Sequence, residues 1–208
     1  WYTDSTGTTP AQPYSFGALT NYYSNDFTTA TLTNAAAFGN TVVNTTNNEL
    51  TLYANATAKY GALRINASGA TSNKYQVGFK MITQGALGNM ADGVSFSFGD
   101  DVVATPEGAM NAENGTGSKL KVSFNYYTNG ASTNGLYLMY NSTTNEHTPT
   151  SSGVLAYDNT NNALWQADTA NVLMNIDSIG RFNMTINCMA VFTNVQLPAA
   201  FVNANKAN

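Results

Sequence analysis

The sequence predicts an all-β protein built of two packed antiparallel sheets. Apolar residues recur at every second position in most apolar segments, which is the period of a strand with one face in a core. Asn, Thr, Ser and Gly cluster between these segments, as they do at the turns of all-β proteins. A single helical turn is predicted at residues 106–111, and Gly108 weakens it. The length of 208 residues suits one sandwich domain.

The predicted strands begin near residue 50. Their core-facing positions fall into five segments: Leu50 and Leu52; Val77, Phe79 and Met81; Val94, Phe96 and Phe98; Leu120, Val122, Phe124 and Tyr126; Leu136, Leu138 and Tyr140. Two Asn-Gly pairs, Asn129-Gly130 and Asn134-Gly135, lie between the last two segments. Because Asn-Gly readily adopts the positive φ of hairpin turns, these two strands are predicted to be antiparallel neighbours.

Three more strand-like segments follow at residues 154–157, 172–174 and 182–192. The last is predicted as one long strand, since apolar residues alternate from Phe182 through Cys188 to Phe192. Cys188 is the only cysteine, so no disulfide is expected and its side chain is predicted to be buried. The predicted core contains Val94, Phe96, Phe98, Val122, Phe124, Phe182, Met184 and Ile186.

The composition excludes several classes of partner. Charged residues make up 10% of the chain, against about 25% in an average soluble domain. With 8 basic and 12 acidic residues there is no basic cluster for a row of phosphates, so no nucleic-acid partner is expected. No apolar run reaches the roughly 18–20 residues of a membrane span. The Asn- and Thr-rich composition, and a start at Trp1 without Met or an apolar leader, predict a processed, secreted or cell-surface protein.

The sequence carries no catalytic signature. Glycan hydrolysis needs two carboxylates about 5–10 Å apart, and the four glutamates, Glu49, Glu107, Glu113 and Glu146, are isolated in the sequence. The only histidine, His147, lies in a polar loop sequence without a nucleophile motif. We therefore predict that the protein is not an enzyme.

Six Asn-x-Ser/Thr sequons are candidate glycosylation sites: Asn44, Asn55, Asn66, Asn114, Asn141 and Asn183. A chain this rich in Asn, Ser and Thr contains about that many by chance, so their number decides nothing. Asn183, opposite the core-facing positions, and Asn114, at an Asn-Gly turn, are predicted to be the most accessible.

Several elements in order over residues 20–200 resemble legume-type lectins and their bacterial or protist relatives. Residues 26–36, 50–52 and 60–63 resemble the opening strands of that family. Ala91-Asp92-Gly93 resembles its Ala-Asp-Gly element, and residues 115–129 resemble its metal-loop strand. The resemblance implies a concanavalin A-like jelly-roll sandwich whose glycan binds at one end.

The resemblance also implies a binding site made of Asp92, Gly93, Tyr127 and Asn129. In the family the aspartate accepts sugar hydroxyls, the asparagine contacts both calcium and sugar, and a backbone carbonyl at the position of Tyr127 is a calcium ligand. By position, Asn125, Asn129 and Asp101 are the calcium candidates in this chain.

The sequence departs from the family at two positions of the metal-loop strand. Ser123 and Asn125 stand where the family usually has Glu and Asp, so the transition-metal site is predicted to be lost. Calcium relies on charged oxygen ligands, so any calcium is expected to bind weakly. An alternative stays open, in which Asn125 and Asn129 are polar turn residues and Asp92 only begins a strand.

The chain is divided into an extended arm, residues 1–18, and a sandwich, residues 19–208. The resemblance predicts that the sandwich lacks a closing strand at its C-terminal end, and an uncovered sheet edge is a template for another chain. Two hypotheses follow: a secreted, non-catalytic carbohydrate-binding module, or a structural subunit of an extracellular fibre, filament or coat assembled as a homopolymer through the arm.

Overall fold

The computed structural model describes residues 22–53, 56–57, 59–66, 74–84, 92–99, 101–102, 115–130, 132–141, 147–166 and 169–203. The predicted arm, the helical turn at 106–111 and the sequons at Asn55 and Asn114 lie outside these residues. Within them, nearly all regular structure is β.

The described residues form twelve strands and two short helices. The strands are β1 Ala35–Gly39, β2 Val42–Asn44, β3 Glu49–Thr51, β4 Gly61–Ile65, β5 Tyr75–Ile82, β6 Gly93–Phe98, β7 Leu120–Asn125, β8 Gly135–Tyr140, β9 Val154–Asp158, β10 Thr169–Ile176, β11 Arg181–Ile186 and β12 Met189–Gln196. The helices are α1 Asn162–Trp165 and α2 Ala199–Asn203. None of the helices in this part of the chain has the length and apolar character needed to cross a membrane.

Two four-stranded antiparallel sheets make up the sandwich. Sheet I has the order β6-β7-β8-β9, and sheet II has the order β12-β11-β10-β5. Two smaller pairs, β1-β4 and β2-β3, are also antiparallel. The prediction that β7 and β8 are neighbours is confirmed, with Val122 opposite Leu138 and Phe124 opposite Leu136.

One apolar core lies between sheets I and II. Val122 and Phe124 of sheet I and Phe182, Met184 and Ile186 of sheet II are fully or almost fully buried in it. Three predicted core residues of β6 are partly buried and pack against the same cluster: Val94, Phe96 and Phe98. The prediction of an all-β sandwich with these residues inside is therefore confirmed.

Helix α1 was not predicted from the sequence, yet it delivers the largest fully buried side chain. Trp165 packs edge-on against Phe124, with 5.8 Å between ring centroids, and lies 4.7 Å from the ring of Tyr126. Four residues are too few to give a periodic signal, so the sequence showed only an isolated apolar pair here.

The prediction of one long strand over 182–192 is wrong. Asn187 and Cys188 have φ values of +49° and +66°, and they form a two-residue turn that separates β11 from β12. Positive φ at both central residues is the mark of a type I′ hairpin turn, for which Asn is a preferred first residue. Cys188 consequently lies exposed at the tip of the turn, and the prediction that it is buried is also wrong.

The alternation in β7 predicts one apolar face and one polar face exposed to water, but both faces are covered. Lys121, Ser123 and Asn125 project away from the core and are buried. The backbone N–H of Thr116 donates a hydrogen bond to Ser97 Oγ (3.2 Å), which places residues 115–118 over this outer face beside β6. His147 covers it beside β8. Sheet I is thus packed on two sides.

Candidate functional site

The residues predicted to bind a glycan lie at one end of sheet I. Gly93, the first residue of β6, is paired with Asn125, the last residue of β7. The carbonyl of Asp92 accepts a hydrogen bond from the backbone N–H of Tyr126 (2.9 Å). Asp92 therefore lies opposite Tyr126, and Tyr127 is the next residue along the chain. Asn129 belongs to the loop that continues from β7. The backbone of Asp92, Gly93 and Tyr127 therefore lies at the same end of sheet I, and Asn129 follows two residues after Tyr127.

The same region exposes an aromatic ring next to polar groups. Tyr127 is 47% exposed, and Asp92 and Asn129 are exposed as well. An exposed ring offers an apolar face to a ligand, and a carboxylate and an amide offer hydrogen-bond acceptors and donors. This set of groups suits a ligand that has both apolar C–H faces and hydroxyl groups.

In the loop between β7 and β8, the described residues 126–130 and 132–134 fold back on each other as a hairpin. Asn129 and Ser132 exchange two backbone hydrogen bonds (3.1 and 2.9 Å), and Gly130 between them has a φ of +57°. The backbone N–H of Asn134 also donates to Thr128 Oγ1 (3.1 Å). These bonds hold the loop in one shape before any ligand binds, which lowers the entropy cost of binding.

Asn125 organises the β7–β8 loop from beneath. Its Nδ2 donates to the carbonyl of Thr133 (2.9 Å) and to Ser132 Oγ (3.0 Å), and its Oδ1 accepts from the N–H of Tyr127 (3.3 Å). Because the side chain is buried and both amide protons are used, these contacts account for an asparagine at this position without a metal ion.

Asp101, the third calcium candidate, is not brought to this end of the sheet. It lies three residues after the last residue of β6, and a strand of six residues is roughly 20 Å long, so Asp101 and Asp92 lie beyond opposite ends of that strand. Its Oδ2 accepts hydrogen bonds from the N–H (2.7 Å) and the Oγ (2.6 Å) of Ser118. Partial burial alone would raise the pKa of Asp101, but these bonds lower it below its usual value. The described residues contain no cluster of three or more His, Cys, Asp or Glu side chains suited to a metal ion.

Two side chains from other parts of the chain, Tyr53 and Thr83, bind to this end of the sheet. Tyr53, after β3, donates from its hydroxyl to the carbonyl of Gly93 (3.2 Å). The hydroxyls of Tyr126 and Thr83 lie 2.9 Å apart, and burial raises the pKa of Tyr126 to about 12. Neither Tyr53 nor Thr83 was predicted as a site residue, because their contacts with the site cross 40 or more residues of sequence.

Behind the loop lies a set of polar side chains on the outer face of sheet I, which we name the buried polar layer: Lys121, Ser123, Asn125, Tyr137 and His147. Ser123 Oγ and His147 Nε2 are 2.7 Å apart. The rings of Tyr137 and His147 are 5.0 Å apart between centroids. Burial, followed by the neighbouring Tyr157, raises the pKa of Tyr137 well above its usual range.

The pairing of Ser123 with His147 was not predicted, and it has the separation of a nucleophile and its base. Both side chains are buried, so neither presents a reactive atom at the surface formed by the described residues. No pattern in the sequence predicts this contact, since the two residues are 24 positions apart and alternation places Ser123 on the polar face. In this structure the contact joins the loop before β9 to the middle of β7.

Four of the six sequons lie in the described residues. Asn66 and Asn141 are exposed, whereas Asn44 is half-buried, and Thr46 and Asn47 donate backbone hydrogen bonds to its Oδ1. Asn183 is also half-buried: its Nδ2 donates to Asn175 (3.4 Å), and its Oδ1 accepts from the backbone of Asn194 (2.8 Å). The prediction that Asn183 is among the most accessible sequons is therefore not supported by its surroundings.

Comparison with known proteins adds no assignment: the sequence matches no known family and no curated protein.

Proposed function

We propose that this protein is a secreted, non-catalytic carbohydrate-binding module whose glycan binds at the β6–β7 end of sheet I. The observation that carries the proposal is the half-exposed ring of Tyr127, which lies one residue after the partner of the Asp92 carbonyl and two residues before Asn129, with Asp92 and Asn129 exposed. These are the residues to which the resemblance to legume-type lectins points.

The chemistry of a sugar matches this arrangement. A pyranose ring has an apolar face of C–H groups that packs against an aromatic ring, and its edge carries hydroxyls that donate to a carboxylate and accept from an amide. The hydrogen bond from a hydroxyl to ionised Asp92 would be charge-assisted and therefore stronger than one between neutral groups. Gly93 is buried, and its pairing with Asn125 holds Asp92 at the end of the strand.

The site needs little reorganisation for this role. The β7–β8 loop is closed by its own backbone hydrogen bonds and supported by Asn125, so its polar groups are fixed before the ligand arrives. We propose further that calcium, if it binds, does so weakly and through Asn129 with backbone oxygens rather than through Asp101.

The test is a glycan array screened with the native protein, followed by titration of the best glycan. We expect Tyr127→Ala to weaken binding about tenfold and Asp92→Ala by about tenfold to a hundredfold, the loss of one stacking contact or one charge-assisted bond. Tyr22→Ala is the matched control, because Tyr22 is 49% exposed but lies outside the proposed site. Binding that survives both site substitutions would remove this region from consideration.

A chelator separates the calcium question from the glycan question. With EDTA in the titration, weak binding of calcium predicts a modest loss of glycan affinity that added calcium restores. Affinity unchanged by EDTA would show that hydrogen bonds within the chain support the loop without calcium.

The second candidate, a structural subunit of an extracellular polymer, is favoured by the edge of sheet II. Strand β5 has eight regularly alternating residues and, among the described residues, pairs only with β10. A long regular edge is a template for another strand. The opposite edge, β12, is irregular: Asn194 has a φ of +52° and the register with β11 shifts.

Light scattering on the purified protein decides between the two candidates. A polymer that dissociates when residues 1–18 are removed supports the structural subunit and the arm as its connector. A monomer at all concentrations supports the simple binding module.

A further inference from the structure

We propose that His147 is a positioning residue for the β7–β8 loop, and that acid releases the loop by charging this histidine. The inference deepens the proposed function, since the loop carries Tyr127 and Asn129, but its physical part can be tested without a glycan. It rests on a continuous series of hydrogen bonds from the imidazole to the loop.

The first step fixes the histidine itself. The imidazole is buried on the outer face of sheet I, with Nε2 2.7 Å from Ser123 Oγ and the ring against Tyr137. Ser123 lies in the middle of β7, which is paired on both sides, by β6 and β8. The side chain of His147 is therefore anchored to the most rigid part of the sheet.

The second step leads from the main chain of His147 to the loop. The carbonyl of His147 accepts a hydrogen bond from the N–H of Thr133 (2.8 Å). The hydroxyl of Tyr137 lies 2.9 Å from the same carbonyl and 2.6 Å from the carbonyl of Thr133. Thr133 is thus held through its N–H by His147 and through its carbonyl by Tyr137, whose ring packs against the imidazole.

The third step leads from Thr133 to the exposed residues. The carbonyl of Thr133 also accepts from Asn125 Nδ2 (2.9 Å), and the Oδ1 of Asn125 accepts from the N–H of Tyr127 (3.3 Å). The next residue, Asn134, donates to Thr128 Oγ1 (3.1 Å). A shift of the His147 carbonyl therefore reaches both strands of the loop within two or three hydrogen bonds.

The burial of His147 makes the imidazolium unfavourable in this place. The polar and titratable groups on the same face of sheet I are Ser95 and Ser97 of β6, Lys121, Ser123 and Asn125 of β7, Tyr137 of β8 and Tyr157 of β9. The side chain of His147 is 1% exposed. A charged imidazole in this place would lose its hydration.

The sign of the pH dependence follows. An imidazole in water takes up its proton near pH 6.5, so the unfolded or released form is charged below about that pH. The buried, neutral form is therefore favoured at pH 7 and above, and its advantage over the released form falls as the pH drops toward 5. We expect the loop to be ordered at neutral pH and released in mild acid, with loss of the site.

The test uses nuclear magnetic resonance of the native, full-length chain. His147 is the only histidine, so its Cε1–H signal is unambiguous. We expect the backbone N–H signal of Thr133 to titrate with the same midpoint as His147, and its protection from hydrogen exchange, corrected for the intrinsic pH effect, to fall about tenfold between pH 7.5 and 5. The N–H of Val172, in sheet II, is the internal control and should keep its protection.

His147→Gln is the matched variant, because the glutamine amide can replace Nε2 as the partner of Ser123 Oγ and does not titrate. We expect this variant to keep the Thr133 protection constant across the same pH range. If Thr133 does not move with His147 in the native protein, or if the variant shows the same pH profile, the proposal is overturned. The first measurement stands even where the variant does not fold.

Glycan titration separates this proposal from the proposed function. With a glycan whose binding depends on Tyr127, we expect about tenfold weaker affinity at pH 5 than at pH 7.5 in the native protein and no such change in His147→Gln. If no glycan binds, the proposed function fails, while the Thr133 measurement still decides whether His147 positions the loop.

Discussion

The turn between β11 and β12 gives a quantitative test of the fold, because its first residue acts in two separable ways. Asn187 adopts a φ of +49°, a backbone conformation that costs free energy for most residues and least for glycine and asparagine. Its side chain also accepts a hydrogen bond from the N–H of Asn171 (2.8 Å) and donates to the carbonyl of Leu164 (3.1 Å). Alanine removes both contributions, whereas glycine restores only the backbone freedom.

The two contributions have different sizes. The two hydrogen bonds are partly exposed, so their loss should lower the free energy of unfolding by about 1–2 kcal/mol in either variant. Holding a non-glycine residue at positive φ costs roughly 1–2 kcal/mol more, and the greater freedom of unfolded glycine takes back about 0.5 kcal/mol. We therefore expect Asn187→Ala to lose about 2–4 kcal/mol and Asn187→Gly to lose about 1 kcal/mol less than alanine does.

Urea unfolding followed by circular dichroism measures both values. An unchanged slope in both variants would show that the folded and unfolded states keep their compactness, so that the shift in midpoint reports stability. Cys188→Gly, at φ +66°, should move the midpoint upward by relieving the same strain at the second turn position. The reasoning is refuted if alanine at 187 is as stable as glycine.

Three other outcomes follow from the structure. Cys188 is exposed, so it should react with one equivalent of a thiol reagent in the folded protein, without denaturant. Trp165→Ala should lower the free energy of unfolding by about 3–5 kcal/mol in urea, and Trp165→Phe by less. Partial burial alone would raise the pKa of Asp177, but hydrogen bonds from Arg181 lower this pKa below its usual value. The carboxylate should therefore stabilise the fold above pH ~4, and this stabilisation should be lost as the pH falls through the lowered pKa. Asp177→Asn should not show this pH dependence.

Much of the fold follows from the period of the apolar residues. Strands β5, β6, β7, β8 and β10 have alternating positions that the sequence shows directly, and the Asn-Gly pairs between β7 and β8 predict their antiparallel pairing. The hairpin at Asn187 was not predicted because Cys188 continues the apolar alternation through the turn. Alternation records which residues could face a core, and it carries no information about φ.

The candidate site was predictable only in its exposed part. Asp92 precedes β6 and the residues after Asn125 follow β7, and the order of motifs in the sequence predicts both strand ends. The buried polar layer was not predictable, because alternation places Ser123 and Lys121 on a polar face and cannot say what covers that face. His147 reaches Ser123 across 24 residues, and only the folded chain brings them together.

The two positions at which the sequence departs from the lectin resemblance are two members of the buried polar layer. The resemblance implies carboxylates at 123 and 125, and a carboxylate there would accept but could not donate. Asn125 uses both amide protons on the loop, at Ser132 and Thr133, and Ser123 Oγ lies 2.7 Å from His147 Nε2. Neither side chain carries the negative charge that the resemblance implies at its position. The described part of the loop is held by hydrogen bonds within the chain, and one of them runs from the N–H of Thr133 to the carbonyl of His147.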